Sequence, residues 1–247
     1  MSEDPPVIIG DAFGTAAMRC WTSGMRPGVS HEIVERDDGH LHAMDMVRLF
    51  GPDPAEWKQV ERLACERVEG RILDVGCGPG RHAVFLTKNG HDVLGLEPSS
   101  GAAAVARARG VEVVEAAVLD ARDIGTFDTV VMLGNNLGLL GGHEQGRAVL
   151  ARLARLAAPG AQVLACTQDP SSTDPDHLAY QERNRRRGRL PGQLRMRYRD
   201  RRLATPWFDY LLATPDDVRA TVADTDWVVA AVERHGSDYL IQLRLRG

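Results

Sequence analysis

Short apolar runs alternate with stretches of helical spacing through the middle of the chain, and the alternation predicts a series of β and α elements. Ile72, Leu73 and Val75 make the first run, which breaks into glycines before helical spacing resumes at Arg81. The pattern predicts strands at 71–75, 92–96, 111–115, 127–133 and 160–167, with helices at 81–89, 100–109 and 143–157 between them. Such alternation implies a parallel sheet covered by helices on both faces. Upstream, a helix is expected from about 54 to 68 with Trp57, Val60, Leu63 and Ala64 on one face, and another from Ala12 to near Gly24 with Trp21 on its apolar side. Downstream, 204–212 reads as a strand entry, Thr214-Pro-Asp-Asp217 caps a helix to about Ala223, and 227–232 with 239–245 form a closing hairpin.

The break after Val75 carries the first candidate chemistry. Glycines at 76, 78 and 80 permit a sharp turn and remove side chains that would hold a ligand away, and the helix start behind them offers unpaired N–H groups. The second strand then ends on Glu97, 23 positions after Asp74, near the spacing of about 20 at which nucleotide-binding α/β units place an acid on ribose hydroxyls. A ribose-containing ligand is implied. Arg81 stands where the dinucleotide fingerprint requires its third glycine, so a pyrophosphate fits less well.

Leu73-Asp-Val-Gly-Cys-Gly-Pro-Gly80 resembles motif I of the class I S-adenosylmethionine-dependent methyltransferases, and Glu97 resembles their ribose-binding acid. The resemblance, over about residues 60 to 245, implies a Rossmann-like, seven-stranded, mainly parallel sheet with S-adenosylmethionine as methyl donor and S-adenosylhomocysteine as product. It places Asp74 against the amino acid part of the cofactor and the Gly76, Cys77, Gly78 and Gly80 loop beneath it, flanked by Arg81 and His82. Glu97, beside Pro98, would grip the 2′ and 3′ hydroxyls. Asp120-Ala121 resembles the pair that meets adenine, and Leu133-Gly134, followed by Asn135, the segment near the sulfonium.

The resemblance also implies a lid over residues 1–55, a cofactor-binding domain over 56–247, and an insertion after the fifth strand at about 169–202. The lid segment holds Asp37, Asp38, His40 and His42 within six residues. Such a cluster suits a metal or a general base, and equally a solvated Asp-Asp-Gly turn with surface histidines. His40 and His42 are the base candidates, and no metal is expected. Trp21, Phe50, ahead of the Gly51-Pro52 break, and Trp207 are candidates to line an acceptor pocket. Phe208 and Tyr210 are candidates beside Trp207, or simply core, and strand alternation sets Trp207 and Asp209 on one face and Phe208 and Tyr210 on the other, so at most one pair lines the site. Asn136, in the loop after the fourth strand, can orient an acceptor through its amide, or the Asn pair can simply tolerate unusual loop dihedrals.

Composition narrows the partners. A formal charge of −4 favours neither nucleic acid nor membrane. Ten arginines crowd residues 183–202, but Leu194, Met196 and Tyr198 alternate with Arg195, Arg197 and Arg199, the pattern of a strand with one wet face. The stretch Met1-Ser-Glu-Asp-Pro-Pro6 lacks the basic region and apolar core expected of a signal peptide, no run approaches 18 apolar residues, and the four cysteines lack CxxC spacing. A cytoplasmic enzyme acting on a small-molecule oxygen or nitrogen, in specialised metabolism, as monomer or homodimer, is the expectation. An RNA or protein methyltransferase, a repurposed non-methylating member of the fold and a nicotinamide oxidoreductase are the alternatives.

Overall fold

The computed structural model describes residues 6–51, 53–171 and 174–247. The start of the lid segment, Pro52 of the Gly51-Pro52 break, and Ser172 and Thr173 of the insertion lie outside the described residues. In chain order the elements are β1 (Ile8–Ile9), α1 (Ala12–Thr22), β2 (His31–Arg36), β3 (Leu41–Asp45), α2 (Gln59–Glu66), β4 (Ile72–Val75), α3 (Arg81–Lys88) and β5 (Val93–Leu96). They continue with α4 (Ser100–Ala108), β6 (Glu112–Val114), β7 (Phe127–Met132), α5 (His143–Arg155), β8 (Ala157–Gln168) and α6 (Pro175–Arg186). The chain ends through β9 (Gln193–Asp200), β10 (Leu203–Ala204), β11 (Phe208–Leu211), α7 (Pro215–Val222), β12 (Trp227–His235) and β13 (Asp238–Leu245).

The main sheet has seven strands in the order β12-β13-β8-β7-β4-β5-β6. β8, β7, β4, β5 and β6 run parallel, and β13 runs antiparallel to both of its neighbours, β8 and β12. Every residue of β4 and β5 is buried, as expected of central strands covered on both faces. Pleating sends alternate side chains into two cores. Leu73, Val75, Val130 and Met132 join Val149, Leu153, Val218 and Val222 under α5 and α7. Ile72, Val131 and Leu133 join Val60, Ala64, Ala83, Leu86 and Ala103 under α2, α3 and α4.

Two expected elements differ. The helix expected from 54 begins at Gln59, because Pro54–Glu56 is a single 3₁₀ turn and Trp57 is extended. The Trp57 indole N–H donates to the Gly51 carbonyl at 2.8 Å. The stretch 204–212 is split by Thr205-Pro206-Trp207, and its second half, β11, leaves the closing elements of the main sheet to pair with β9.

A second sheet is built from both segments that flank the parallel core. β9 is its centre, with β2 and then β3 along one edge and β10 and β11 along the other, while β1 pairs parallel to β10. The segment before β4 and the segment after β8 therefore form one layer, whose strands run as far as Leu211. Its outer face carries the ion pairs of Arg197 and Arg199 with Glu35, at 2.9 and 2.6 Å.

Candidate active site

The turn after β4 is the floor of the site. Gly76, Gly78 and Gly80 have φ of +71°, +55° and +89°, a region L side chains rarely adopt, so the backbone folds tightly beneath open space. Glu97 ends β5 facing this turn and is 6% exposed. One carboxylate oxygen accepts the Gly78 N–H at 2.9 Å and the other accepts the Ser99 N–H at 2.9 Å. Burial pushes the Glu97 carboxyl up to about 7 against those two hydrogen bonds, and the nearby Asp11 charge pushes the same way. Asp74, 2% exposed, is likewise raised to about 7, by burial first and by the Glu97 charge second. Its Oδ2 is buried with no hydrogen-bond partner. A carboxylate held this way has a strong demand for a cation or donor.

Asp11 fixes this floor from the lid side. Its carboxylate caps α1 through the Gly14 N–H at 2.8 Å, accepts the Ser99 hydroxyl at 2.8 Å, and accepts the Gly101 N–H at 2.9 Å. One side chain thus caps two helices from different parts of the chain. The helices cross closely enough that a Cβ on Gly101 would lie 2.6 Å from the Gly14 backbone.

The opposite wall is the inner face of the second sheet. Glu32, Val34, His42, Met44, Leu194, Met196, Tyr198 and Phe208 line, with the floor, one cavity of about 1740 Å³. Ordinary small-molecule sites occupy roughly 300–1,000 Å³, so this space accommodates two ligands together. Phe13, Tyr198 and Phe208 form an aromatic row with centroids 4.9 and 5.6 Å apart. Beneath one end, Arg81 pairs with Glu61 at 2.7 Å. Burial opposes ionisation of Glu61, but His82, Arg81 and the Lys58 N–H hold it down to about 2. The His82 ring lies 3.8 Å from Glu61; burial lowers the His82 pKa, and Glu61 opposes that shift.

Of the residues singled out from sequence, Gly76, Cys77, Gly78, Arg81, His82, Glu97, Pro98, Asp120, Leu133, Gly134, Asn135 and Asn136 line this cavity, as do His40 and His42. Asp74 sits just below the floor, Gly80 starts α3, and Ala121 packs in the core. Cys77 packs over Gly95, and burial drives its thiol far above its ordinary value, as for an inert core thiol. The Asn136 amide donates to the Val75 and Gly76 carbonyls at 3.0 and 2.8 Å, while Asn135 adopts φ of +73° and its carbonyl accepts the Tyr210 hydroxyl at 2.6 Å. Both asparagines shape the loop. Trp21, Phe50 and Trp207 stand apart from the cavity lining: Trp21 packs with α1, Phe50 is buried under Arg109, and Trp207 stacks beneath Arg197 at 4.4 Å.

His40 lies against His177, ring centroids 5.1 Å apart, beyond an Arg36–Asp38 pair at 2.8 Å, and Asp37 accepts the Tyr180 hydroxyl at 2.8 Å. No group of three or more metal-ligating side chains forms among the described residues. Sequence reasoning passed over Glu32 and Asp11, of which only Asp11 has a local signal, as an N-cap two residues after Ile9, and it read Tyr198 as part of a strand face with no role in the site.

Residues 72–160 match the family model described as a methyltransferase domain. Residues 72–160 thus carry a methyltransferase domain. A 2-heptyl-1-hydroxyquinolin-4(1H)-one methyltransferase of Mycobacteroides abscessus is 27% identical over 137 residues, 51% of this chain and 56% of that relative. A putative methyltransferase of Geobacillus is 32% identical over 92 residues, 35% of this chain and 37% of the relative. The match therefore spans about half or less of these curated relatives. Over the whole length, the S-adenosylmethionine-dependent methyltransferase of Bacteroides fragilis, solved with S-adenosylhomocysteine, superposes with a TM-score of 0.81 at 23% identity, covering 98% of each chain. That likeness extends the shared fold to the second sheet. No helix among the described residues is long and apolar enough to cross a membrane.

Proposed function

We propose that the protein transfers a methyl group from S-adenosylmethionine to an oxygen or nitrogen of a small molecule, in specialised metabolism. The observation that carries this is the unsatisfied acid pair at the glycine turn: Asp74 with a buried, partnerless oxygen, and Glu97 facing the cavity from the end of β5. The donor set fits the cofactor. Asp74 suits its ammonium, Glu97 its two ribose hydroxyls, and the stretch 116–120 with Pro98 offers a partly apolar slot for a base.

The bound sulfonium supplies an already electrophilic methyl, so the chain's own residues contribute approach geometry, water exclusion and a route for a proton. Val34, Met44, Leu194, Met196 and Phe208 exclude water from the far wall and favour an apolar acceptor. The hydroxyquinolone acceptor in the name of the Mycobacteroides relative supports an acceptor of that character. The arginines support a small molecule over RNA, because Arg183, Arg189, Arg195, Arg197 and Arg199 are each paired with a carboxylate. Four free, buried cysteines support a reducing, cytoplasmic setting.

Titration calorimetry tests the assignment. S-adenosylhomocysteine is expected to bind the native protein, and Glu97→Ala to weaken it by about 100-fold, since charge-assisted hydrogen bonds contribute about 1.5–3 kcal/mol each. No heat with either S-adenosylmethionine or S-adenosylhomocysteine removes the cofactor assignment.

A further inference from the structure

The cavity holds one acid that the cofactor cradle does not use. Glu32 projects from β2 on the same face as Val34 and Arg36, into the space between the second sheet and the glycine turn. Neither of its oxygens takes part in a hydrogen bond or ion pair among the described residues, whereas Glu35, next on the outer face, is held by two arginines. The charged and titratable groups that face it are Arg48, from the turn after β3, Arg81, from the start of α3, and the phenols of Tyr198 and Tyr210.

Those neighbours locate Glu32 at the reacting end. The Tyr210 hydroxyl is bonded to Asn135, in the loop expected near the sulfonium, and the Arg81 guanidinium lies against Gly134 of the same loop. Tyr198 lines the same cavity, its ring 4.9 Å from that of Phe13 and 5.6 Å from that of Phe208. His40 sits farther out, against His177, and His42 on an exposed stretch of β3, so neither is as enclosed.

We propose that Glu32 is the general base of the reaction, receiving the proton of an acidic O–H or N–H carried on an apolar acceptor that lies against Val34, Met44, Met196 and Phe208. This rests on the methyl-transfer reading above. The acceptor's lone pair forms the bond to the methyl carbon, the C–S pair returns to sulfur, and the acceptor's proton passes to the Glu32 carboxylate and then to water. Burial raises the Glu32 carboxyl to about 7, partly offset by Arg48 and Arg81, so it is poised to accept a proton near neutral pH.

The test needs no acceptor. Sinefungin carries an ammonium-bearing carbon in place of the methylated sulfur, so a carboxylate facing the methyl position meets that ammonium directly. Calorimetric affinities of sinefungin and S-adenosylhomocysteine are compared for the native protein and Glu32→Gln between pH 5.5 and 8.5, in order-of-magnitude terms. Both proteins should bind S-adenosylhomocysteine equally, which also certifies folding. The native preference for sinefungin should rise about tenfold with pH and be flat in Glu32→Gln. Equal preferences in the two proteins at every pH overturn the role of Glu32 and leave methyl transfer standing. Failure of S-adenosylhomocysteine to bind either protein overturns both.

Discussion

Asp74 and Glu97 illustrate a cost accepted for binding. Both carboxyls keep their protons up to about pH 7 in the ligand-free fold, whereas unfolded carboxyls release them near pH 4. Between those limits the folded state binds more protons than the unfolded chain, so stability falls as pH rises. Glu32 adds to the same slope. Glu61 acts at the other extreme: held down to about 2, it contributes stability above about pH 4 that is lost only on further acidification. The melting temperature of the ligand-free protein should therefore drop between pH 5 and 7.5, and Asp74→Asn should flatten the drop. A melting temperature that is level or rises over this range in the native protein contradicts the burial argument. A saturating cofactor should reverse the trend, because its ammonium stabilises the ionised form of Asp74.

At the level of elements, the contact between α1 and α4 couples the lid segment to the cofactor floor. The two helices meet through Gly14 and Gly101, with Asp11 capping both starts. Gly101→Ala puts a carbon 2.6 Å from the Gly14 backbone, so the helices must separate. We expect a loss of about 1–3 kcal/mol in urea unfolding, typical of overpacking, together with weaker S-adenosylhomocysteine binding, since Ser99 shares the Asp11 carboxylate and also bonds Glu97. Unchanged stability shows that the crossing is looser than described.

These elements also show why some of the site was legible in the sequence. β4, the glycine turn, α3 and β5 lie within 26 residues of one another, and each has a local pattern: apolar run, glycines, helical spacing, terminal acid. Leu194, Met196 and Tyr198 were legible as one face of a strand for the same reason. Glu32 was not, because His31-Glu-Ile-Val-Glu-Arg36 presents two glutamates of identical type, and only the pairing of Val34 with Tyr198, 164 positions away, decides which one is enclosed. Among the aromatic candidates, Trp207 was misplaced by the same kind of distant contact. It turned outward onto Arg197, while Phe208 and Tyr210, the pair expected on the opposite face, line the cavity, and Phe13 and Phe208 bracket Tyr198.

For the molecule as a whole, the second sheet exists only if both flanking segments are present. Removing residues 1–55 deletes β1, β2 and β3, leaving one edge of β9 unpaired and the faces of Leu194, Met196 and Tyr198 open to water. Unpaired edges and exposed apolar faces promote association. The truncated protein should elute as aggregates in size-exclusion chromatography and bind a hydrophobic dye; a monodisperse, dye-silent truncation contradicts this account of the layer. The parallel sheet, whose two cores draw on residues from Trp57 onward, retains its own packing.

Because the roof of the cavity and its floor are supplied by separate stretches of chain, they can be altered independently. Replacing Val34 on β2, Leu194 and Met196 on β9 and Phe208 on β11 re-contours the chamber offered to the nucleophile and leaves Glu32 and the donor's berth on β4 and β5 intact. Retargeting this scaffold to new acceptors is thus a matter of grafting three strands.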